Sequence, residues 1–211
     1  MTEIERNQVK NKLKEVSWTN NLVAIISDGT AVLGLGDIGP EGAMPVMEGK
    51  AMLFKHFADI DAVPIVLNVH TVDEIVATVK APSFGGINLE DIAAPKCFEI
   101  EERLKRELSI PVMHDDQHGT AIVVLAGLIN AMKVTNKNLN DCKIVLVGAG
   151  AAGVAVAKLL HTYANPDIVV VDSKGIIEPS RKDLTPEKVM LMSFGKTQMR
   201  GQLADALNNA D

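Results

Sequence analysis

The stretch KIVLVGAGAAGVAVAKLLHTYANPDIVVVD, residues 143–172, decides how the second half of the chain folds. Strand-forming residues lead into a glycine-rich turn, which opens a helical stretch that is followed by a second strand. Gly148, Gly150 and Gly153 have the G-x-G-x-x-G spacing within that pattern, and Asp172 ends the second strand. A strand, this turn and a helix in succession are typical of a βαβ unit that binds a dinucleotide, with the pyrophosphate at the helix N-terminus.

The alternative interpretation of this loop is a glycine-rich turn in an α/β protein that binds no dinucleotide. If a dinucleotide binds, Asp172 would accept hydrogen bonds from a free ribose 2′-hydroxyl, whereas Lys174 could attract a 2′-phosphate. The sequence therefore leaves NAD and NADP open. The predicted cofactor-binding residues are Gly148, Ala149, Gly150, Ala151, Ala152, Gly153, Asp172, Ser173 and Lys174.

Apolar runs of strand length recur along the chain and predict buried parallel strands. They are LVAII from residue 22, VPIVLNV from 63, FGGINL from 84, IPVM from 110, KIVLVG from 143 and DIVVVD from 167. Helices are predicted between them at residues 43–57, 72–81, 96–108, 118–133 and 151–163, with a further helix at 3–15. This alternation indicates an α/β protein with parallel sheets. The polar segment 133–142 is a candidate hinge, and the pattern weakens after residue 175, so we expect the second sheet to be incomplete.

Two pairs of adjacent carboxylates follow two of the predicted strands. Glu90 and Asp91 come after FGGIN, and Asp115 and Asp116 come after IPVM, directly before an apolar helical run. Sites in α/β proteins assemble at the carboxyl ends of parallel strands, and four converging carboxylates would repel one another unless a cation joined them. Such oxygen ligands suit Mg²⁺ or Mn²⁺. The alternatives are a helix cap and two unrelated surface pairs.

Residues 27–50, SDGTAVLGLGDIGPEGAMPVMEGK, are dense in glycine before the chain becomes helical. Such a density suggests backbone folded closely around a small ligand. The stretch ends at Lys50, and the ordinary interpretation of any lysine is a solvated surface charge. In a closed site, beside a metal that opposes its protonation, the pKa of Lys50 could instead fall far enough to make it a base.

Composition and charge limit the partners that we expect. The chain of 211 residues has a formal net charge of -6 and no basic run, so neither nucleic acid nor a membrane surface is an expected partner. Cys97 and Cys142 lie far apart without metal-type spacing, which favours a reducing compartment. The N-terminus lacks a signal-peptide core, and no later segment is expected to span a bilayer. We therefore expect a cytoplasmic protein.

Several motifs taken together resemble those of the bacterial NAD(P)-dependent malic enzymes. They are SDGTAVLGLGDIGP (27–40), MEGKAMLFKHFADID (47–61), GGINLEDI (85–92), CFEIEERL (97–104), HDDQHGTA (114–121), GAGAAG (148–153) and VDSKG (171–175). The resemblance covers about residues 20–211. It implies a malic enzyme N-terminal domain for substrate and metal at 1–114 and a Rossmann-like NAD(P)-binding domain, incomplete at its C-terminus, at 115–211.

The resemblance also implies an activity and residue roles. Family members oxidise malate to oxaloacetate by hydride transfer to NAD or NADP, and then decarboxylate it to pyruvate and carbon dioxide with Mg²⁺ or Mn²⁺. Lys50 matches the general base, and Asp115 matches a supporting acid of the site. The residues that match the metal ligands are Glu90, Asp91 and Asp116. Because an incomplete second lobe should expose apolar surface, we also expect a homo-oligomer, most simply a homodimer.

This chain departs from the family pattern at several points. The segment resembling Y-T/S-P-G-V-A, whose tyrosine is the family's general acid, is absent, and Tyr163 does not map to that position. Ala31 stands where larger members have an arginine that binds a substrate carboxylate. The sequence thus resembles a malic enzyme shortened at both ends. The alternatives are a catalytically silent remnant that acts as a binding or dimerisation module and, as a lesser option, a malolactic enzyme.

Overall fold

A computed structural model describes residues 2–211, apart from the side chains of residues 3, 6, 10, 14 and 20. The chain divides into two compact units, Met1–Asp115 and Asp116–Asp211, each with a sheet of its own. The boundary lies between Asp115 and Asp116, outside the candidate hinge at 133–142. Both units combine strands and helices, which confirms the predicted α/β class.

The first unit is built on a four-stranded parallel sheet. Its strands are β1 (Leu22–Ser27), β2 (Asp61–Val66), β3 (Gly86–Leu89) and β4 (Val112–His114). Its helices are α1 (Glu3–Val16), α2 (Gly39–Ala58), α3 (Val72–Lys80) and α4 (Lys96–Glu107). The strand order is β2-β1-β3-β4, and all neighbouring pairs are parallel. The two central strands are almost fully buried, because both faces of such a sheet are covered.

Local sequence explains where these helices begin and end. The Thr71 hydroxyl accepts a hydrogen bond from Glu74 N at 3.2 Å, and the Glu74 carboxylate accepts one from Thr71 N at 3.1 Å, which caps α3. Helix α2 begins four residues before its predicted start, because Pro40 occupies the first turn, where a missing N–H is tolerated. Asp59, in the left-handed conformation, ends α2.

The second unit begins within α5 (Asp115–Thr135) and contains the predicted βαβ motif. The elements that follow are β5 (Lys143–Val147), α6 (Ala151–Ala164), β6 (Asp167–Asp172), β7 (Gly175–Ile176), α7 (Pro186–Met192) and α8 (Leu203–Leu207). Strands β5 and β6 are parallel, and the short β7 is antiparallel to β6. A buried cluster of Val169, Val171, Ile176 and Ala206 forms part of the core. Strand β7 and helix α7 lie from residue 175 onward, where the sequence pattern is too weak to predict them, whereas α8 lies within GQLADALNNAD (201–211), which is helical in pattern.

Helix α5 is longer than predicted at both ends. Its first turn contains Asp115 and Asp116, where negative charge is favoured by the helix dipole. With 21 residues it is long and apolar enough to cross a membrane by length and composition, contrary to the expectation that no segment would be. This criterion alone is weak evidence for a membrane span, since core helices of soluble proteins also meet it. Little of α5 is buried within the described chain.

Candidate active site

The carboxyl ends of β3 and β4 bring two of the predicted acids to one edge of the first sheet. Leu89 pairs with His114 across these parallel strands. The residues that follow them, Glu90 and Asp115, therefore leave the sheet side by side. Asp116 is the next residue, with its Cα about 3.8 Å along the chain from that of Asp115, and it begins the second unit.

Helix α2 places Lys50 at this edge of the sheet. Its Nζ donates a hydrogen bond to Asp115 Oδ2 at 2.6 Å and lies 3.0 Å from Glu90 Oε2. Glu90 Oε2 also accepts a 2.7 Å hydrogen bond from Asn88 Nδ2, and Asn88 belongs to β3. Only 22% of the Lys50 side chain is exposed. Lys50 is therefore not the solvated surface charge that is the ordinary interpretation of a lysine.

Burial and charge act in opposite directions on the ionisation of this cluster. Burial lowers the pKa of Lys50, but the hydrogen bond to Asp115 and the charge of Glu90 outweigh it, so that the net pKa is raised. Burial raises the pKa of Glu90, and the hydrogen bond from Asn88 and the charge of Lys50 offset only part of that rise. The protein alone thus holds Lys50 as an ammonium, because two carboxylates pair with it.

The acids of this edge have the donor chemistry of a hard divalent cation. Asp91 is 4% exposed, and its backbone φ of 53° lies in the left-handed region that few residues other than glycine adopt. Glu90, Asp91 and Asp116 offer carboxylate oxygens, which Mg²⁺ and Mn²⁺ prefer. Among the described residues, Asn88 Oδ1 is buried without a hydrogen-bond partner, on the amide that contacts Glu90. The residues present therefore fit a divalent cation.

A cavity of about 310 Å³ opens beside Lys50 and Glu90 within the first unit. Its other lining residues belong to α2 and are mainly apolar, namely Val46, Met47, Gly49, Met52 and Leu53. A cavity with an apolar wall and a charged end suits a small ligand that carries polar groups on a short carbon skeleton.

The glycine turn of the second unit is shaped by three different constraints. Gly148 has a φ of 113°, which favours glycine, and its N–H donates to Val171 O at 2.7 Å. A Cβ on Gly153 would lie 2.0 Å from the Gly148 carbonyl oxygen, whereas a Cβ on Gly148 or Gly150 would meet no atom within 4 Å. Gly150 caps α6 without a side-chain hydrogen bond. The turn therefore leaves room for a phosphate at the helix N-terminus.

Asp172, at the end of β6, is surrounded by cations. Arg181 donates to its two oxygens at 2.9 and 2.7 Å, and Lys188 Nζ lies 2.8 Å from Oδ2. Asp183 pairs with Arg181 at 2.6 Å and with Lys174 at 3.1 Å. The Arg181 hydrogen bonds hold the pKa of Asp172 far below its usual value, although burial opposes this. Three cations and two carboxylates thus occupy the position where an adenosine ribose is expected.

The remaining predicted cofactor residues lie beside the glycine turn and beside Asp172. Ser173 and Lys174 are exposed after β6. Three alanines of the glycine turn are half-buried, namely Ala149, Ala151 and Ala152.

Sequence reasoning missed several side chains that shape both clusters. Asn88 precedes Glu90 by two residues on one strand face, a signal that was available in the period-two alternation of a strand. Arg181 and Lys188 come from an irregular segment and from α7, 9 and 16 residues after Asp172, and no spacing rule indicates them. Only the folded chain brings them to Asp172.

These features define a class of α/β proteins that carry an acidic site at the carboxyl edge of one parallel sheet and a dinucleotide-type glycine turn in a second unit. Comparison with known proteins narrows the class. Residues 1–74 and 70–105 match the malic enzyme N-terminal domain, and residues 117–210 match the malic enzyme NAD binding domain. The chain belongs to the malic enzyme family.

Individual relatives agree with this assignment. The chain is 56% identical over 205 residues to the bifunctional malic/malolactic enzyme of Bacillus subtilis, covering 95% of this chain and 50% of that protein. It is 56% identical over 206 residues to the NAD-dependent malic enzyme of Geobacillus stearothermophilus, covering 95% and 42%. The crystal structure of the NAD-dependent malic enzyme of Thermotoga maritima superposes with a TM-score of 0.93 at 47% identity, covering 99% and 57%. The chain thus spans about half the length of these three relatives.

Proposed function

We propose that this chain forms the metal-binding and nucleotide-binding part of a malic enzyme subunit. The reaction would be the oxidative decarboxylation of malate to pyruvate and carbon dioxide, with reduction of NAD or NADP. The observation that carries the proposal is the Lys50 amine held between Glu90 and Asp115 at the carboxyl edge of the first sheet. A lysine paired with acids beside a small cavity is suited to moving a substrate proton.

The roles that we assign follow from position. Lys50 would take the proton of the malate hydroxyl as a neutral amine, once a bound cation opposes its protonation, while Asp115 holds the amine in place through its 2.6 Å hydrogen bond. The residues that would hold Mg²⁺ or Mn²⁺ are Glu90, Asp91 and Asp116. Glu90 and Asp115 leave paired strands at equivalent positions, and Asp91 and Asp116 each come next in the chain, which supports this set. A bound divalent cation would stabilise negative charge on the keto oxygen that oxidation of the malate hydroxyl produces.

The second unit would bind the nicotinamide dinucleotide. Open space over Gly148 and Gly150 supports a pyrophosphate at the start of α6. Asp172 would accept from a free 2′-hydroxyl of NAD, whereas Arg181 and Lys188 would contact the 2′-phosphate of NADP. Comparing the dissociation constants of NAD⁺ and NADP⁺ by calorimetry decides between the two.

An activity assay tests the proposal directly. We expect the purified chain to form NADH or NADPH from malate in the presence of Mn²⁺, followed by nicotinamide absorbance. The matched control is Lys50→Ala, which removes the amine and keeps the acids. Turnover of the wild-type chain no greater than that of this variant would refute the catalytic role of Lys50.

Metal binding is tested separately by calorimetric titration with Mn²⁺. We expect binding to the wild-type chain and its loss in Asp116→Asn, which removes a charge at constant size. If neither protein binds Mn²⁺ or a nucleotide, the silent remnant is the better description.

A malolactic reaction is the second candidate, favoured by the name of the Bacillus subtilis relative alone. Formation of lactate from malate without net accumulation of reduced nicotinamide would identify it.

We also propose a homodimer in the cytoplasm. Exposed apolar side chains support self-association, among them Ile122 and Val123 on α5, which are 58% and 66% exposed. Light scattering that finds a stable monomer at micromolar concentration would contradict the dimer.

A further inference from the structure

The turn that carries Glu90 and Asp91 is tied to the loop after β1 by polar contacts that none of the assigned roles uses. Asp28 follows β1 and is 1% exposed. Its carboxylate is paired with Lys96, the first residue of α4. Thr30 donates to Asp28 Oδ1 through its hydroxyl at 2.7 Å and through its backbone N–H at 3.2 Å.

The same loop reaches the acid-bearing turn at two further points. Ala93 N donates to the Thr30 hydroxyl oxygen at 3.0 Å, and Ala31 N donates to the carbonyl oxygen of Asp91 at 3.0 Å. Residues 91, 93 and 96 are therefore each attached to the segment 28–31. The three attachments lie within six residues and include the left-handed Asp91 itself.

The position of Lys96 indicates that this pairing is specific. A cation at the first position of a helix is disfavoured by the helix dipole. A buried carboxylate without a partner is more unfavourable still, because its desolvation is uncompensated. The Lys96 ammonium thus neutralises Asp28 close to the turn of Glu90 and Asp91, which already carries two carboxylates.

We propose that Asp28, Thr30 and Lys96 are positioning residues that fix the backbone of the Glu90–Asp91 turn before any cation binds. This inference rests on the proposed function for its consequence, since the carboxylates so presented are the assigned metal ligands. Partners that orient metal ligands typically contribute a factor of about 10–100 in metal affinity. The hydroxyl of Thr30 is the central link, because it both donates to Asp28 and accepts from Ala93.

Three variants of the full chain test the inference. Thr30→Val removes the hydroxyl at nearly constant shape, and Thr30→Ser restores it. Lys80→Met is the control for a loss of stability elsewhere in the same unit, because it breaks an ion pair with Glu107, outside segments 28–31 and 90–96. We expect Thr30→Val to weaken Mn²⁺ binding by about 10–100-fold in calorimetry, and Thr30→Ser and Lys80→Met to bind as the wild type does.

Hydrogen exchange of the metal-free proteins separates this inference from the proposed function. We expect faster exchange of the amides of residues 90–93 in Thr30→Val alone, a result that does not require a metal site. Unchanged exchange in that segment would overturn the inference even if the wild type binds Mn²⁺. If exchange is faster in Thr30→Val but the wild type binds no Mn²⁺, the result would support the attachment of the turn and refute the metal site. Equal Mn²⁺ affinity in Thr30→Val and wild type would also overturn the inference. Thr30 would then contribute to the stability of the unit without positioning the metal ligands.

Discussion

Substitution of Gly153 by alanine tests whether the glycine turn is fixed by packing. The new Cβ would lie 2.0 Å from the Gly148 carbonyl oxygen and 3.0 Å from its carbon, and both are backbone atoms that cannot rotate away. The start of α6 must therefore move away from the turn. Overpacking of this kind costs about 1–3 kcal/mol, and each kcal/mol lowers the melting temperature of a unit of this size by about 4–8 °C.

Gly150→Ala is the matched control within the same turn. Its added Cβ meets no atom within 4 Å, and the φ of -83° suits any residue. We expect the free energy of unfolding to change by less than about 0.5 kcal/mol. The new methyl group would occupy the space that a pyrophosphate needs, so nucleotide affinity should fall while stability is kept.

Thermal unfolding followed by far-ultraviolet circular dichroism measures both variants, and hydrogen exchange of α6 locates the effect in the second unit. Nucleotide titration by calorimetry gives the second readout. A Gly153→Ala protein as stable as the wild type would refute the packing argument. Equal nucleotide affinity in Gly150→Ala and wild type would refute the assignment of the open space to a phosphate.

Three further perturbations follow from the contacts of single residues. The pKa of Asp172 lies far below its unfolded value near 3.8. The stability that the carboxylate contributes is therefore present above about pH 4 and is lost as the pH falls toward 2. In urea unfolding over that range, the unfolding free energy of the wild type should decline more steeply than that of Asp172→Asn. Gly29 and Gly34 both have a left-handed backbone conformation, and Gly29→Ala should be the more damaging substitution, because its Cβ would lie 2.2 Å from the Gly39 carbonyl oxygen. Gly34→Ala meets no atom within 4 Å, so it should lower the unfolding free energy by only about 1–2 kcal/mol, from conformational strain, in the same assay. Lys50→Met should lower the unfolding free energy by about 1–3 kcal/mol, since it leaves two partly buried carboxylates without their cation; an unchanged melting temperature would contradict this.

The elements with strong periodicity could be predicted from the sequence. The run LVAII is buried in β1, and KIVLV and DIVVVD form the parallel pair β5 and β6, because continuous apolar runs suit strands that are covered on both faces. The start of α2 was missed, since glycines near residue 39 suggest a loop while Pro40 in fact opens the helix. Local patterns thus predict the interior of an element better than its first turn.

The candidate site was only partly predictable. Strand ends correctly indicated that Glu90 and Asp115 would meet, since parallel neighbours end at one edge. The partner of Lys50 could not be read from spacing, because 40 and 65 residues separate it from the two acids. The cations that pair with Asp172 could not be predicted from spacing either, since Arg181 comes from an irregular segment. The assignment of these residues to metal and cofactor stays a prediction.

The position of β5 has a practical consequence for handling the protein. Among the described residues, β5 pairs with β6 along one side only, and Val147 at its end is 69% exposed. On the other side, Asp211 bonds to the backbone N–H and carbonyl oxygen of Lys143, at 2.9 and 3.1 Å, and covers the start of the strand. The rest of that side, toward Val147, can template a foreign strand. Concentrated preparations should therefore tend to precipitate through edge-to-edge strand addition. A lysine in place of Val147 is the single change that we expect to improve solubility without disturbing the core.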